Sequence, residues 1–283
     1  MHPVLVELWG VSVRSHEFFV ALGVALAGLV VWLEARRRRL VSDGLLVAVA
    51  AGLIGGALGM RAAGLVRSLD PTHNPPLAAA WQYGAKSILG GLTGAYVGVL
   101  VGKRLAGYRT PTGDVFAPAV ALGMAVGRIG CLLTEPPGRP TSLPWGVRLT
   151  ADQLAGVAGC TGCRPGVPMH PSFGYEIAFH LLALVALVAL RSRIAVPGGL
   201  LTLYLAGYAT LRFGVEFVRV NDVVALGLTR GQWFLLAVLP LLAWKAAGVL
   251  RAGRAAGGGP DGDPDGDGPG GTARPPAPQY SPG

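Results

Sequence analysis

Charge is what this chain has least of. Only 14% of its 283 residues are Asp, Glu, Lys or Arg, where a soluble domain carries about 25%. With 52% hydrophobic residues and a mean hydropathy of +0.51, the shortage points to an integral membrane protein. Alternating apolar and polar strands are missing, which excludes a barrel and leaves a helical bundle. No Ser-His-Asp arrangement, Walker loop or HExxH motif is present, so hydrolase, ATPase and metalloprotease readings have no local support. No inverted repeat argues for a transporter. A cleavable signal peptide is not expected, because residues 1–15 lack a basic leading region and the first apolar run ends in Arg.

What is present is a series of long apolar runs rich in Ala, Val, Leu and Gly. They give an all-α, polytopic chain of about seven transmembrane helices, near 17–35, 45–66, 87–105, 114–134, 174–191, 197–216 and 231–250. The net charge of +9 does not indicate a nucleic-acid binder, because the cations fall at the ends of the apolar runs. Arg36 to Arg39, then Lys103, Arg104 and Arg109, then Arg191 and Arg193 all lie on one side if the spans alternate. The positive-inside rule makes that side cytoplasmic, with the N-terminus outside and the C-terminus inside. Loops 67–86, 135–173 and 217–230 then face outward. Residues 1–250 are expected to form the membrane domain, and 251–283, a low-complexity Gly/Pro/Asp stretch, a disordered cytoplasmic tail. Gly52, Gly55, Gly56 and Gly59, with Gly90, Gly91, Gly94 and Gly98, predict close packing of the second and third spans.

Candidate chemistry sits at the outer ends of spans. In GRIGCLLTEPPGRPTSLPWGV, residues 127–147, Arg128 and Glu135 lie at or near membrane depth, with Arg139 following. A charge at the bilayer centre costs about 2.5–3.5 kcal/mol on insertion scales, so such residues usually mark a site. A second cluster is His170-Pro171-Ser172 followed by Tyr175-Glu176. A third is Tyr208, Arg212, Glu216 and Arg219 on the sixth span, whose i,i+4 and i,i+3 spacing forms one polar stripe on a helix. That stripe is either an ion-pair network holding the bundle together or, with arginines converging from other helices, an excess-positive pocket for a lipid phosphate.

These segments resemble prolipoprotein diacylglyceryl transferases of bacteria. GRIGCLLTEPPGRPTSLPWG is similar to that family's signature, in which Gly-Arg at a span end leads to a Glu, a Gly and a Pro-rich loop. HPSFGYE, GYATLRFGVEFVR and GLTRGQ resemble three further family motifs, in the family's order, and the likeness covers roughly residues 11–250. The resemblance implies a multi-pass enzyme of the bacterial plasma (inner) membrane. It would move the diacylglyceryl group of phosphatidylglycerol to the lipobox cysteine thiol of a preprolipoprotein, bound through its signal peptide. A thioether forms and glycerol-1-phosphate leaves.

The nucleophile is the substrate's own thiol, and no cofactor or metal is called for. The chain needs cations for the phosphate and a base, or surroundings that favour thiolate. The catalytic candidates are Arg128, Arg212, Glu135, His170 and Tyr208. The candidates for substrate binding, alongside membrane lipids, are Arg128, Arg139, Arg212, Glu216, Tyr175 and Lys86. His170-Pro171 could equally cap the fifth helix, and Lys86 could be an interfacial anchor.

The chain departs from the family pattern at four places. Leu89 stands where the family carries a His before the Gly-Gly of the third span, His16 stands at or near a usual Tyr, and Cys131 and Thr134 occupy two Asn positions. His16 or His170 is then expected to supply the base. The same departures leave two alternatives open: a paralogue with another acceptor, or a non-catalytic phospholipid-binding protein. Cys160 and Cys163 form a CxxC in an outward loop, read first as a disulfide, then as unpaired thiols, and last as part of a metal site with Cys131 and His170.

Overall fold

The structure, a computed structural model, describes residues 4–8, 11–68, 87–155 and 163–257. A hairpin of β1 (Val4–Leu8) and β2 (Val11–Arg14) leads into α1 (Ser15–Arg37), followed by α2 (Asp43–Ser68), α3 (Ile88–Leu105) and α4 (Gly113–Thr134). The loop after α4 holds β3 (Val147–Arg148), the short α5 (Ala151–Ala155) and β4 (Pro168–Met169). Then come α6 (Ser172–Leu190), α7 (Gly199–Val215), a 3₁₀ turn at Glu216–Val218, the strands β5 (Val223–Ala225) and β6 (Leu228–Thr229), and α8 (Arg230–Gly257). The chain is a helical membrane bundle, as its composition requires.

Helices α1, α2, α3, α4, α6 and α8 are long and apolar enough to cross a membrane. With 17 residues, α7 is the shortest of the seven long helices, and at about 1.5 Å per residue it covers most of a hydrocarbon core of about 30 Å. The seven match the expected spans closely. Helix α8 continues to Gly257, and the tail expected beyond it lies outside the described residues. The three short hairpins were not foreseen. Strands of two to five residues bear too few side chains to show a period.

Helix α4 is the hub, packed against α1, α6 and α7, while α8 covers α7 and α2 pairs with α3. Its buried face is built from Ala117, Ala119, Ala121, Ala125 and Gly130, small residues that let neighbouring backbones come close. The α2–α3 pair takes this further. A Cβ on Gly94 would collide with the carbonyl oxygen of Gly55, and one on Gly55 with that of Gly94, so the helices touch backbone to backbone.

The basic ends gather at one pole of the bundle. Glu34 near the end of α1 accepts from Arg37 Nη2 at 2.7 Å and from Arg191, just past α6, at 2.8 Å. On the same pole, the Asp114 carboxylate at the start of α4 accepts the backbone N–H of Gly198 and Leu200 at 3.0 and 2.9 Å. This cap fixes where α7 begins, since the first N–H groups of a helix have no partner within it. At the opposite pole the short strand pairs and the described parts of the loop after α4 surround the polar clusters.

Candidate active site

At that pole a cavity of about 1570 Å³ opens between the α2–α3 pair and the α1–α4 wall. Its long part is apolar, lined by residues such as Val24, Leu58, Leu89, Val97 and Met124. Its outer end is polar and carries His16, Arg128, Cys131, Glu135, Arg212, Glu216 and Arg219.

Arg128 sits on the last turns of α4 and points into the junction of α4, α6 and α7. Its Nη2 lies 2.5 Å from Glu176 Oε2 and donates to Tyr208 Oη at 3.1 Å, while Tyr208 donates to the same carboxylate at 3.0 Å. Glu176 and Tyr208 lie behind the cavity wall and are essentially inaccessible. They hold the guanidinium in place from the protein side. Phe173 completes the support, with the Arg128 and Arg219 guanidinium carbons 5.6 and 4.3 Å from its ring centroid.

Arg212, on the last turn of α7, pairs with Glu216 one turn on. Glu216 also accepts from Asn221 Nδ2 at 2.7 Å and Thr229 Oγ1 at 2.8 Å. Thr229 and Gln232 form a reciprocal box at the start of α8. The Thr229 N–H donates to Gln232 Oε1 at 3.0 Å and the Gln232 N–H to Thr229 Oγ1 at 3.3 Å. This is what the Thr-Arg-Gly-Gln run encodes. The cap therefore serves both the helix and Glu216.

The expected stripe is corrected at its far end. Helix α7 stops at Val215, residues 216–218 form a 3₁₀ turn, and Arg219 is extended. Freed from the helix, Arg219 turns toward Glu176 Oε1 at 3.5 Å and Glu135 Oε2 at 3.7 Å instead of pairing with Glu216. Burial, then the positive charge of Arg212, lower its pKa below the ordinary arginine value. The pocket is also charge-balanced, with Glu135, Glu176 and Glu216 set against the three arginines, because a bare buried guanidinium is prohibitive. Several donors still lack a hydrogen-bond acceptor: Arg128 Nε, Arg212 Nε and Arg219 Nη1 are buried without one. The three guanidiniums on the cavity wall are therefore desolvated and only partly satisfied, which favours an anion among them.

The sequence profile of the family described as prolipoprotein diacylglyceryl transferase matches residues 3–246. The chain belongs to the prolipoprotein diacylglyceryl transferase family. A relative from Nitrosomonas europaea named phosphatidylglycerol–prolipoprotein diacylglyceryl transferase is 31% identical over 266 residues, 86% of this chain and 89% of the relative. One from Streptomyces coelicolor, phosphatidylglycerol–prolipoprotein diacylglyceryl transferase 2, is 31% identical over 91% of this chain and 84% of its own length. A Nocardia farcinica transferase is 31% identical over 82% of this chain, which spans half of that longer relative. No solved structure matches the chain.

Within this family member the structure separates the expected site residues. Arg128, Glu135, Arg212 and Glu216 line the cavity, with Tyr208 directly behind Arg128. His170 and Arg139 lie in the loop that frames it, and Tyr175 on the first turn of α6. His170 Nδ1 is 3.0 Å from Tyr175 Oη, which accepts from Trp145 Nε1 at 3.0 Å. The His170 carbonyl accepts the Gly138 N–H at 2.7 Å, and Arg139 donates from its backbone to the Val218 carbonyl at 2.6 Å. His170 does not cap α6 through its side chain; Pro171 is the N-cap and makes no side-chain bond there.

Lys86 and Cys160 lie outside the described residues. Cys163 is disulfide-bonded, which takes its thiolate out of the alternative metal set. Phe173, Asn221 and Thr229 were missed, since an aromatic, an amide and a helix cap carry no chemical signal until the fold sets them beside a charge. Glu176 and Arg219 were visible as polar residues near span ends, but their pairing joins segments far apart in sequence.

Proposed function

We propose that this chain transfers the diacylglyceryl group of phosphatidylglycerol to the lipobox cysteine thiol of preprolipoproteins, at the outer face of the bacterial plasma membrane. The observation that carries the reading is the union of Arg128, Arg212 and Arg219 at the polar end of a long apolar cavity. That shape suits a diacyl phospholipid, with tails along the α2–α3 wall and the phosphodiester among the guanidiniums. The basic clusters at the opposite pole support an outside N-terminus and inside C-terminus. They also support residues 1–250 as the membrane domain and the Gly/Pro/Asp stretch as a cytoplasmic tail.

The thiolate sulfur attacks the glyceryl carbon that bears the phosphate ester. The carbon–sulfur bond forms as the carbon–oxygen bond breaks, and glycerol-1-phosphate leaves with the electron pair. Negative charge builds on the departing phosphate, so donors fixed beforehand by Glu176, Tyr208 and Glu216 stabilise the transition state more than the bound lipid. Among the described residues His16 is the histidine that lines the cavity, so we assign activation of the thiol to that wall and not to His170.

Complementation of a strain depleted of its own transferase tests the reading. Rescue by this chain, lost on Arg128→Ala and on Arg212→Ala with the proteins still present in the membrane, is the expected result. Failure of the unmodified chain to rescue, with phosphatidylglycerol still bound by the purified protein, would show a lipid-binding protein instead.

A further inference from the structure

His16 in the first turn of α1 and Cys131 on α4 are 115 residues apart, and α1 brings them together by crossing α4 where a glycine leaves room. A Cβ on Gly130 would lie 3.0 Å from His16 Cα. His16 Nδ1 is consequently 3.9 Å from Cys131 Sγ. Glu135, one helical turn beyond Cys131, supplies a carboxylate, and one ligand atom from each of the three lies within 4.8 Å of the others. All three side chains line the cavity, at the end where the guanidiniums converge. Cys131 is a free cysteine, whereas Cys163 is disulfide-bonded.

We propose that His16, Cys131 and Glu135 bind a borderline-soft divalent metal ion, zinc being the type, and present its open fourth position to the cavity to take the acceptor thiol as thiolate. One imidazole nitrogen, one thiolate sulfur and one carboxylate oxygen with a fourth position free is the donor pattern of a catalytic zinc site. Thiolate and imidazole together select such an ion over magnesium or calcium. Ligand atoms around a tetrahedral zinc sit about 3.3–3.8 Å apart, given bonds of about 2.0–2.3 Å. The observed spacing needs only a small inward rotation of side chains.

The charged groups facing this set are also arranged to allow it. Arg128 Nη1 is 4.0 Å from Cys131 Sγ, but that guanidinium is neutralised by Glu176 at 2.5 Å. Arg219 is 3.7 Å from Glu135 and 3.5 Å from Glu176, so it shares the Glu176 charge with Arg128 if Glu135 turns to the metal. A divalent ion with one thiolate and one carboxylate is a neutral unit, so it does not overload the wall with positive charge.

The role assigned to the ion rests on the transferase reading; the site itself does not. Leu89 lines the same cavity and has no proton acceptor. A metal removes the need for one there. The acceptor thiol gives its proton to hydroxide held at the open position, water leaves, and sulfur binds the metal as thiolate. Sulfur then forms its bond to the glyceryl carbon as the carbon–oxygen bond to phosphate breaks, the leaving group departing with the electron pair. The neutral thioether is a poor ligand and dissociates.

The test uses the full chain, purified in detergent without reductant, stripped with a chelator and titrated with Co²⁺ and with Zn²⁺. One equivalent of Co²⁺ should bind with a thiolate-to-cobalt charge-transfer band. Cys131→Ser should abolish the band, and His16→Gln and Glu135→Gln should each weaken binding at least tenfold. His16→Cys, which exchanges one ligand for another, should keep the binding that His16→Gln loses, a result no packing role explains. Absence of the band, or equal stoichiometric binding in Cys131→Ser, overturns the site. In parallel, chelation should lower transfer to a lipobox peptide at least tenfold, with recovery on adding Zn²⁺. Binding at the trio with transfer indifferent to chelation overturns the catalytic role while leaving the transferase reading intact. If the unmodified chain transfers nothing under any metal condition, the transferase reading fails, and the cobalt titration still decides the site.

Discussion

The two poles of this bundle each set arginines against buried carboxylates, and they differ in where the arginines end. At the basic pole Glu34 is met by Arg37, Arg38 and Arg191, whose side chains are 44%, 26% and 38% exposed. At the other pole Arg128, Arg212 and Arg219 are 7%, 9% and 15% exposed. Guanidiniums that reach water cost little to place and contribute little to stability. Guanidiniums buried beside a cavity are expensive, so a fold retains them where their charge is used. The same pair of residue types thus serves as an anchor at one end and as machinery at the other.

The sharpest way to break this comparison is to keep the charge and change its shape. Arg128→Lys and Arg212→Lys preserve a cation but lose the planar fork that reaches a carboxylate and a phosphate together. Each should lower transfer from phosphatidylglycerol to a lipobox peptide by about 10²-fold, the cost of removing an aimed transition-state donor. Elution as a monodisperse detergent complex would show the fold intact. Activity within threefold of the unmodified chain would mean that the buried cluster needs only charge, as the one at the basic pole does.

A second difference is between walls. The α4–α6–α7 side is held by charged side chains, the α2–α3 side by bare backbone contact. Gly94→Leu places a side chain against the Gly55 carbonyl and must push the helices apart. We expect a stability loss of about 1–3 kcal/mol, the usual cost of overpacking, read as a lower melting temperature in detergent. Transfer should fall about tenfold as the apolar wall shifts. An unchanged melting temperature would show that the pair is not locked.

Much of this was legible in the sequence, and the reason differs by feature. The spans could be read because twenty-residue apolar runs have few alternative explanations. Arg128 and Arg212 could be read because charge at that depth is costly. Arg219 was placed on the α7 helix by spacing alone, yet Glu216 leaves that helix into a 3₁₀ turn where Asn221 and Thr229 hold its carboxylate. No local pattern announces such a break. The approach of His16 to Cys131 depends on how α1 crosses α4, which only the packing reveals. The pairing of Glu34 with Arg191 likewise depends on two helices meeting, 157 residues apart in sequence.

At the basic pole the expected effects are smaller. Glu34→Gln removes the charge that Arg37 and Arg191 share, but both guanidiniums stay solvated. Stability should fall by no more than about 1 kcal/mol, and transfer should stay within twofold. A tenfold loss of transfer would mean that the cluster at the basic pole is coupled to the site across the bundle, and the division between anchor and machinery would fail.

A comparably small effect is expected at the frame of the site itself. Tyr175 joins His170 and Trp145 through one hydroxyl, and none of the three is among the residues lining the cavity. Tyr175→Phe keeps the ring and removes both hydrogen bonds, each worth about 1 kcal/mol net and less where solvent reaches. Transfer should fall no more than about threefold, through KM, because a looser loop holds the entrance less well while the guanidiniums stay in place. A loss of kcat by tenfold or more, reproduced by His170→Gln, would put this loop in the chemistry. The boundary of the active site would then extend beyond the cavity wall to include the His-Pro-Ser segment.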